Sequence, residues 1–265
     1  MRIRNYIAFA FAALLTVSCS DVSEDERFTY IKPQVGGRCV LIEDFTGQNC
    51  PNCPKATKVI EQLQAQYTGD TVIAVAIHSG PFGVWDTPGR LGLRTKTGDE
   101  YFKHFNIEAQ PSGIINRFGG ALQFSMWTAA TQYMLKQQSK LNLALSNQYD
   151  PATRQVNISL QAVGTQGDIN GKVQIWLTED SITAYQIDGR TEIEKYTHNH
   201  VFRDAVNGIW GEDFKLGEGQ SRELSYSYKL PEAWEAKHVS VVAFVYNDQE
   251  GVLQVTRKAV IQTKE

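Results

Sequence analysis

Two cysteines, Cys50 and Cys53, form the clearest chemical signal in the sequence. An apolar segment precedes them and a helical apolar pattern follows, so both thiols are expected at the start of a helix. The unpaired N–H groups and partial positive charge of a helix N-terminus stabilise a thiolate. Two thiols at this spacing can exchange with a disulfide, the second cysteine resolving the mixed disulfide that the first one forms.

The residue types leave other uses of this pair open. A Cys-x-x-Cys is also half of a zinc site, but no second such pair accompanies it, and we expect no metal and no cofactor. In an oxidising compartment the pair could also be a bridge that only stabilises the fold. Cys39, in an apolar strand, is expected to be a small buried side chain.

The N-terminus has the pattern of an export signal. Arg2 and Arg4 precede a short apolar run that ends in small residues before Cys19. The run is too short to span a bilayer, which needs about 20 residues. We interpret residues 1–18 as a lipoprotein signal peptide and Cys19 as the lipidated first residue of the mature protein. The alternative is an ordinary signal cleaved elsewhere.

Composition excludes some partners. Without residues 1–18 the chain has 24 basic and 29 acidic residues, a net charge of −5. This balance, with no basic cluster, argues against a nucleic-acid partner. Residues 19–34 are polar and acidic and are expected to be a flexible tether. Acidic residues after a lipidated cysteine resemble the surface-export signal of Bacteroidetes lipoproteins.

The segment around the cysteines predicts alternating strands and helices. Residues 39–45 read as a strand, residues 53–67 as an amphipathic helix closed by Gly69, and residues 71–77 as a buried parallel strand. Together they predict a right-handed βαβ unit. Further helices are expected at residues 97–105 and 126–138.

This order of elements resembles the thioredoxin fold over residues 35–138. The resemblance implies that Cys50 is the exposed nucleophile and Cys53 the buried resolving thiol. It implies that Asp44 is a buried acid that moves protons at Cys53, and that Pro111 is a cis-proline that packs against the disulfide. The chain departs from the usual thioredoxin pattern in the residues between and before the cysteines.

Three histidines can each be interpreted in two ways. His78 ends a buried strand at the carboxyl edge of the sheet, where it could tune the cysteines or simply cap the strand. His198 and His200 would share a face on a strand and could bind a metal, although an ordinary hydrogen-bonded edge is the simpler reading.

The second half of the chain changes to a period of two. About seven short alternating segments, separated by turn residues, predict an immunoglobulin-like β-sandwich over residues 139–265. That segment contains no cysteine.

The signal, the residues 45–54 around the cysteines and the segment 198–201 together resemble the twenty-eight-kilodalton outer membrane protein family of Bacteroidetes. The resemblance implies an outer-membrane, surface-facing lipoprotein, held to the membrane by lipid. Two functions follow. The first is thiol–disulfide exchange with protein thiols or disulfides of the cell envelope. The second is adhesion or binding of an extracellular ligand, with the thioredoxin-like domain as a scaffold.

Overall fold

Strands dominate the protein from Val40 onward. The structure is a computed structural model that describes residues 36–262. The predictions for residues 1–18, for Cys19 and for the whole tether lie outside the described residues. No helix within residues 36–262 is long and apolar enough to cross a membrane.

In the sequence, the cysteine pair lies between two strands that are parallel in the sheet. Strand β1 (Val40–Thr46) and strand β2 (Val72–His78) run side by side, and helix α1 (Cys53–Tyr67) connects them. The helix has the predicted bounds, and both strands start and end one residue later than predicted. The helix is not closed by Gly69. Thr68 ends it instead, with a positive φ of 69°; its N–H donates to the Gln64 carbonyl and its carbonyl accepts from the Val72 N–H.

Two helices and two short strands complete the first half of the chain. Helix α2 spans Lys96–His104 and helix α3 spans Trp127–Leu135. Strand β3 (Ser112–Ile115) pairs antiparallel with β1 and carries the two-residue strand β4 (Leu122–Gln123) at its other edge.

The second half is almost entirely β-structure, with ten strands among the described residues where the sequence predicted about seven. Their bounds are β5 Leu141–Asp150, β6 Gln155–Gly164, β7 Ile169–Glu179, β8 Ile182–Asp188, β9 Thr191–His198, β10 Val201–Ala205, β11 Glu212–Leu216, β12 Ser221–Lys229, β13 Val239–Asn247 and β14 Gly251–Ala259.

One sheet runs through both halves of the chain. Its strand order is β14-β13-β7-β10-β2-β1-β3-β4, with β11 also paired to β7. Strand β10 joins the halves by lying parallel to β2, where Val201 pairs with Ala76. That two separate domains meet near residue 138 stays a prediction.

The three-stranded sheet β12-β6-β5 packs against the second-half strands of the large sheet, and apolar side chains fill the space between them. The remaining hairpin, β8–β9, forms a two-stranded sheet of its own. The fold is therefore β-rich with two sheets packed face to face, as the alternating pattern predicts.

The two faces of β1 enter different cores, since alternate residues of a strand project to opposite sides. Val40 and Ile42 pack with α1 and α3. Leu41 and Phe45 pack with aromatic side chains of the second half, including Trp176 and Phe244.

Candidate functional site

Cys50 and Cys53 form a disulfide at the end of β1, with their Cα atoms 5.4 Å apart. A tight turn delivers them, because the Cys50 N–H bonds to the Gly47 carbonyl at 3.1 Å. Cys53 is the first residue of α1. The described geometry thus places the pair where the sequence predicts it.

The predicted exposure of Cys50 is wrong. Cys50 is 0% exposed and Cys53 is 2% exposed, so neither half of the disulfide reaches solvent. A helix N-terminus is usually open to solvent, but here segments that are distant in the sequence cover the cysteine turn.

The β8–β9 hairpin is one of those segments. The Ile187 N–H donates to the Gln48 carbonyl and the Gly189 N–H donates to the Pro51 carbonyl, both at 2.9 Å. The buried side chain of Gln186 donates to the Cys50 carbonyl at 3.1 Å. The hairpin therefore binds the backbone of the cysteine turn on both sides of Cys50.

The loop between β2 and α2 covers the turn from another side. Gln48 anchors this loop, since its side chain donates to the Leu91 carbonyl at 3.0 Å and accepts from the Leu93 N–H at 2.9 Å. Arg90 donates to the Asn49 side chain at 3.3 Å and stacks over the Tyr185 ring at 4.3 Å. Loop and hairpin thus meet above the disulfide.

Asp44 lies on the α1 side of β1 and is 2% exposed. It lines a cavity of about 30 Å³ together with Cys53 and His78. No protein group hydrogen-bonds its buried Oδ1 atom. Burial raises the pKa of Asp44 from 3.8 to about 8, so the carboxyl is mostly protonated at neutral pH.

His78 ends β2 beside Thr46, at the predicted carboxyl edge. Its ring meets the ring of His198 at 5.2 Å, edge to face. Burial lowers the pKa of His78 well below 6.5, and it lowers the pKa of His198 to about 4. Both rings are therefore neutral at physiological pH, and both line the cavity that holds Asp44.

His200 does not share this site. Its ring bonds to Asp180 at 3.0 Å and to Gln64 at 3.1 Å. Among the described residues no group of three or more possible ligands is arranged to hold a metal ion. His200 instead ties the strand-connecting segment to α1.

The Gln110–Pro111 peptide bond is cis, which confirms the sequence prediction. Pro111 directly precedes β3, and Ser112 pairs with Phe45 of β1. The proline therefore lies at the same sheet edge as Thr46 and the cysteine turn. The Gln110 side chain fixes this edge by donating to the carbonyls of Thr46 and Ser79 at 2.6 Å and 3.0 Å.

Cys39 lies one residue before β1 and is half-buried, so the predicted full burial is wrong. The chain has not yet entered the sheet there, and the Cys39 N–H bonds to the Gln254 side chain at 2.9 Å. Burial, followed by the nearby Asp70 charge, raises the pKa of this thiol.

The sequence analysis missed a buried ion pair on the other face of β1. Arg117 donates from Nε and Nη2 to Glu43 at 3.0–3.2 Å, and the two side chains are 5% and 0% exposed. Burial opposes the charge on Arg117, but Glu43 raises the pKa of Arg117 overall. The acidic pair Glu43–Asp44 inside a buried strand was the available signal, because buried acids are rare unless they are paired.

These features define a β-rich protein with a covered disulfide at the edge of a mixed sheet. The family model of the outer membrane protein Omp28 matches residues 98–264, more than half of the chain. The protein belongs to the Omp28 family of outer membrane proteins, which confirms the family resemblance and the outer-membrane location. The matched range includes Pro111 but not Asp44, Cys50 or Cys53.

One solved structure shows a related fold, and a second one matches part of the chain. HBP35 of Porphyromonas gingivalis is 14% identical, with a TM-score of 0.66 over 84% of this chain and 76% of that chain. A domain of the outer membrane lipoprotein Omp28 from Porphyromonas gingivalis is 27% identical, with a TM-score of 0.34 over 46% of this chain and 88% of that chain. No curated protein matches the chain.

Proposed function

We propose that the protein is a thioredoxin-like thiol–disulfide exchange protein of the outer membrane, acting on protein thiols or disulfides in the cell envelope. The observation that carries the proposal is Asp44. A buried carboxyl with an unbonded oxygen is costly, and a purely structural disulfide does not require one beside it. Perturbed acids of this kind are typical of sites that move protons.

The proposed exchange step uses the residue roles that the thioredoxin resemblance implies. A substrate thiolate attacks the Cys50 sulfur, the Cys50–Cys53 bond breaks, and the sulfur of Cys53 leaves with the electron pair. Protonated Asp44 gives its proton to that sulfur. A second substrate thiol then displaces Cys50 from the mixed disulfide, leaving an oxidised substrate and a reduced pair. The reverse reaction begins at Cys50 and returns the proton of Cys53 to Asp44.

The covering hairpin adds a requirement. With Cys50 at 0% exposure, a protein substrate reaches its sulfur only after β8–β9 or the Arg90 loop moves away. The structure therefore corresponds to the closed, oxidised state of the proposed cycle. Exchange should be slow in this state and fast once the hairpin opens.

Trapping tests the proposal directly. The Cys53→Ser variant should accumulate mixed disulfides with envelope proteins through Cys50, because the resolving thiol is gone. The Cys50→Ser variant is the matched control and should trap few partners. The Gln186→Ala variant, which loosens the hairpin, exposes the pair further. If the two cysteine variants trap equally little and Gln186→Ala also remains unreactive, the pair is a structural bridge.

We also propose that Cys19 carries lipid and holds the protein to the outer membrane, with Pro111 and the cysteine turn outside the bilayer. Two or more acyl chains give stable anchoring where one chain is marginal. The Cys19→Ala variant should appear in the soluble fraction. Membrane retention of that variant, with no lipid on the wild-type protein by mass spectrometry, would contradict the anchor.

One observation favours the second function, a surface protein that binds an extracellular ligand or adheres. Burial of both Cys50 and Cys53 under the protein's own hairpin is what a stabilising bridge would show. This function predicts that loss of the disulfide lowers stability and leaves ligand binding intact, whereas the exchange function predicts loss of activity.

A further inference from the structure

A cavity of about 240 Å³ lies between the loop that connects β2 to α2 and the first residue of β8. Pockets for drug-sized ligands begin at about 300 Å³, so this one suits a smaller molecule. Cys50, Cys53 and Asp44 do not line it. Whatever binds there is therefore independent of the cysteine chemistry.

Arg203, on β10, lines this cavity with a guanidinium that is only partly used. Its Nε atom lies 3.4 Å from a carboxylate oxygen of Glu179, and its side chain is 16% exposed. Within residues 36–262 no protein group hydrogen-bonds its Nη1 or Nη2 atom, and both atoms keep accessible surface. Two parallel N–H donors of this kind match the two oxygens of a carboxylate.

Glu179 holds this guanidinium and does not compete with a ligand. One of its oxygens accepts from the Glu235 N–H at 2.8 Å, and the other faces the Nε atom of Arg203. The Trp234 ring supports the guanidinium from another side, with its centre 4.9 Å from the Arg203 Cζ atom. Arg203 is therefore fixed in position before any ligand arrives.

Asp86 brings the opposite charge to the rim of the same cavity. It is exposed, and its Oδ1 atom accepts from the Gly92 N–H at 3.3 Å, which leaves Oδ2 for a ligand. Burial lowers the pKa of Arg203, and the charges of Glu179 and Asp86 oppose this shift. Among the described residues no ion pair joins Asp86 to Arg203, so the two charges face one cavity across a gap.

Apolar side chains form the wall between these charges. They belong to Leu93, Ile182 and Ala233. The Leu93 N–H donates to the Gln48 side chain at 2.9 Å, and Arg154 donates to the Trp234 carbonyl at 2.6 Å. Both bonds hold the segments that carry the wall, so the apolar surface is preformed.

From this arrangement we propose that the cavity binds a free α-amino acid with an apolar side chain. The carboxylate accepts from the two Nη atoms of Arg203, the ammonium group donates to Asp86, and the side chain packs against Leu93 and Ile182. A phosphate would meet two carboxylates of its own sign. A sugar would find no free ring to stack on, because Trp234 is only 7% exposed.

Calorimetric titration of the purified protein with four related probes tests the proposal. L-leucine carries both charges, L-leucinamide lacks the carboxylate, N-acetyl-L-leucine lacks the ammonium group, and N-acetyl-L-leucinamide lacks both. We expect L-leucinamide to bind at least about tenfold more weakly than L-leucine, because the charged bonds to Arg203 are lost. N-acetyl-L-leucine should bind about two- to fivefold more weakly, since Asp86 is exposed.

Two acid variants provide the matched comparison. Asp86→Asn keeps the acceptor for Gly92 but removes the charge, so L-leucine should bind about two- to fivefold more weakly and N-acetyl-L-leucine equally well. Asp248→Asn neutralises an exposed acid that does not line the cavity and should leave binding unchanged. Arg203→Lys keeps the charge beside Glu179 and should abolish the preference for L-leucine over L-leucinamide. If that variant fails to fold, the probe series and the two acid variants still decide.

Four results would overturn the proposal. The first is no binding of L-leucine at millimolar concentration. The second is equal affinity for all four probes, which would leave only a nonspecific apolar hollow. The third is tightest binding of N-acetyl-L-leucinamide, which would assign the cavity to a segment of a polypeptide. The fourth is an equal effect of Asp86→Asn and Asp248→Asn on L-leucine binding.

Discussion

Glu43 and Asp44 are neighbours in one strand and are both buried, yet their surroundings differ completely. Glu43 faces the aromatic core and accepts hydrogen bonds from two guanidinium nitrogens of Arg117. Asp44 faces α1 and the disulfide and has no hydrogen bond to Oδ1. Burial alone therefore does not decide whether an acid is structural. The partner decides, and the acid without a partner is the one that lines a cavity with the disulfide.

We expect the largest loss of unfolding free energy when Glu43, the paired acid, is substituted. Glu43→Gln leaves the buried charge of Arg117 uncompensated, and removing one partner of a buried ion pair costs about 3–5 kcal/mol. Urea unfolding should show this loss of unfolding free energy. Asp44→Asn is the matched control in the same strand. A loss below about 1 kcal/mol for Glu43→Gln would mean that the aromatic rings around Arg117 stabilise it alone.

Asp44→Asn should raise the free energy of unfolding, whereas Glu43→Gln lowers it. Because the folded pKa is about 8 and the unfolded pKa is 3.8, the carboxyl adds no penalty below about pH 4. The penalty grows as the pH rises towards 8, since ionisation then favours the unfolded chain. These two pKa values set a ceiling of about 5 kcal/mol on the penalty at pH 8, and we expect Asp44→Asn to recover part of it at pH 8 and hardly anything at pH 4.

The Asp44→Asn variant also tests whether Asp44 takes part in disulfide exchange. Disulfide exchange by Asp44→Asn should be slower than by the wild-type protein, because the amide cannot give a proton to Cys53. A stability gain without any change in the exchange rate would assign Asp44 no part in the chemistry.

A smaller effect is expected at the hairpin. Gln186→Ala removes the side-chain bond to the Cys50 carbonyl, and each such bond contributes about 1 kcal/mol. Reduction of the disulfide by dithiothreitol should become about fivefold faster if it proceeds through hairpin opening. Gln254→Ala, another buried glutamine far from the hairpin, is the control. Equal rates in both variants would mean that the hairpin does not gate the disulfide.

The smallest effect is expected at Arg90. This exposed residue bonds to Asn49 and stacks on Tyr185, and such exposed contacts contribute less than about 1 kcal/mol. Arg90→Ala should change the reduction rate less than about threefold. A larger change would mean that the loop, and not the hairpin, holds the cover in place.

Much of the local structure was predictable from the sequence. The 3.6-residue pattern gave α1 its bounds from Cys53 to Tyr67, and the continuous apolar run predicted β2 within one residue. The cis bond before Pro111 followed from the resemblance of its segment to a known fold. These features depend on residues close in the chain, which is why a sequence pattern is enough to predict them.

The cover over the cysteines and the Arg117–Glu43 ion pair could not be predicted in this way. Gln186 reaches the Cys50 carbonyl across 136 residues, and Arg117 reaches Glu43 across 74 residues. Period-two strands look alike in sequence wherever they pair, so nothing indicated that β10 would lie beside β2 and bring β8–β9 over the turn. The sequence by itself determined which residues can do chemistry. Only the tertiary structure decided that the disulfide is covered, that Asp44 is unpaired and that Glu43 is paired, because each of these depends on contacts between distant segments.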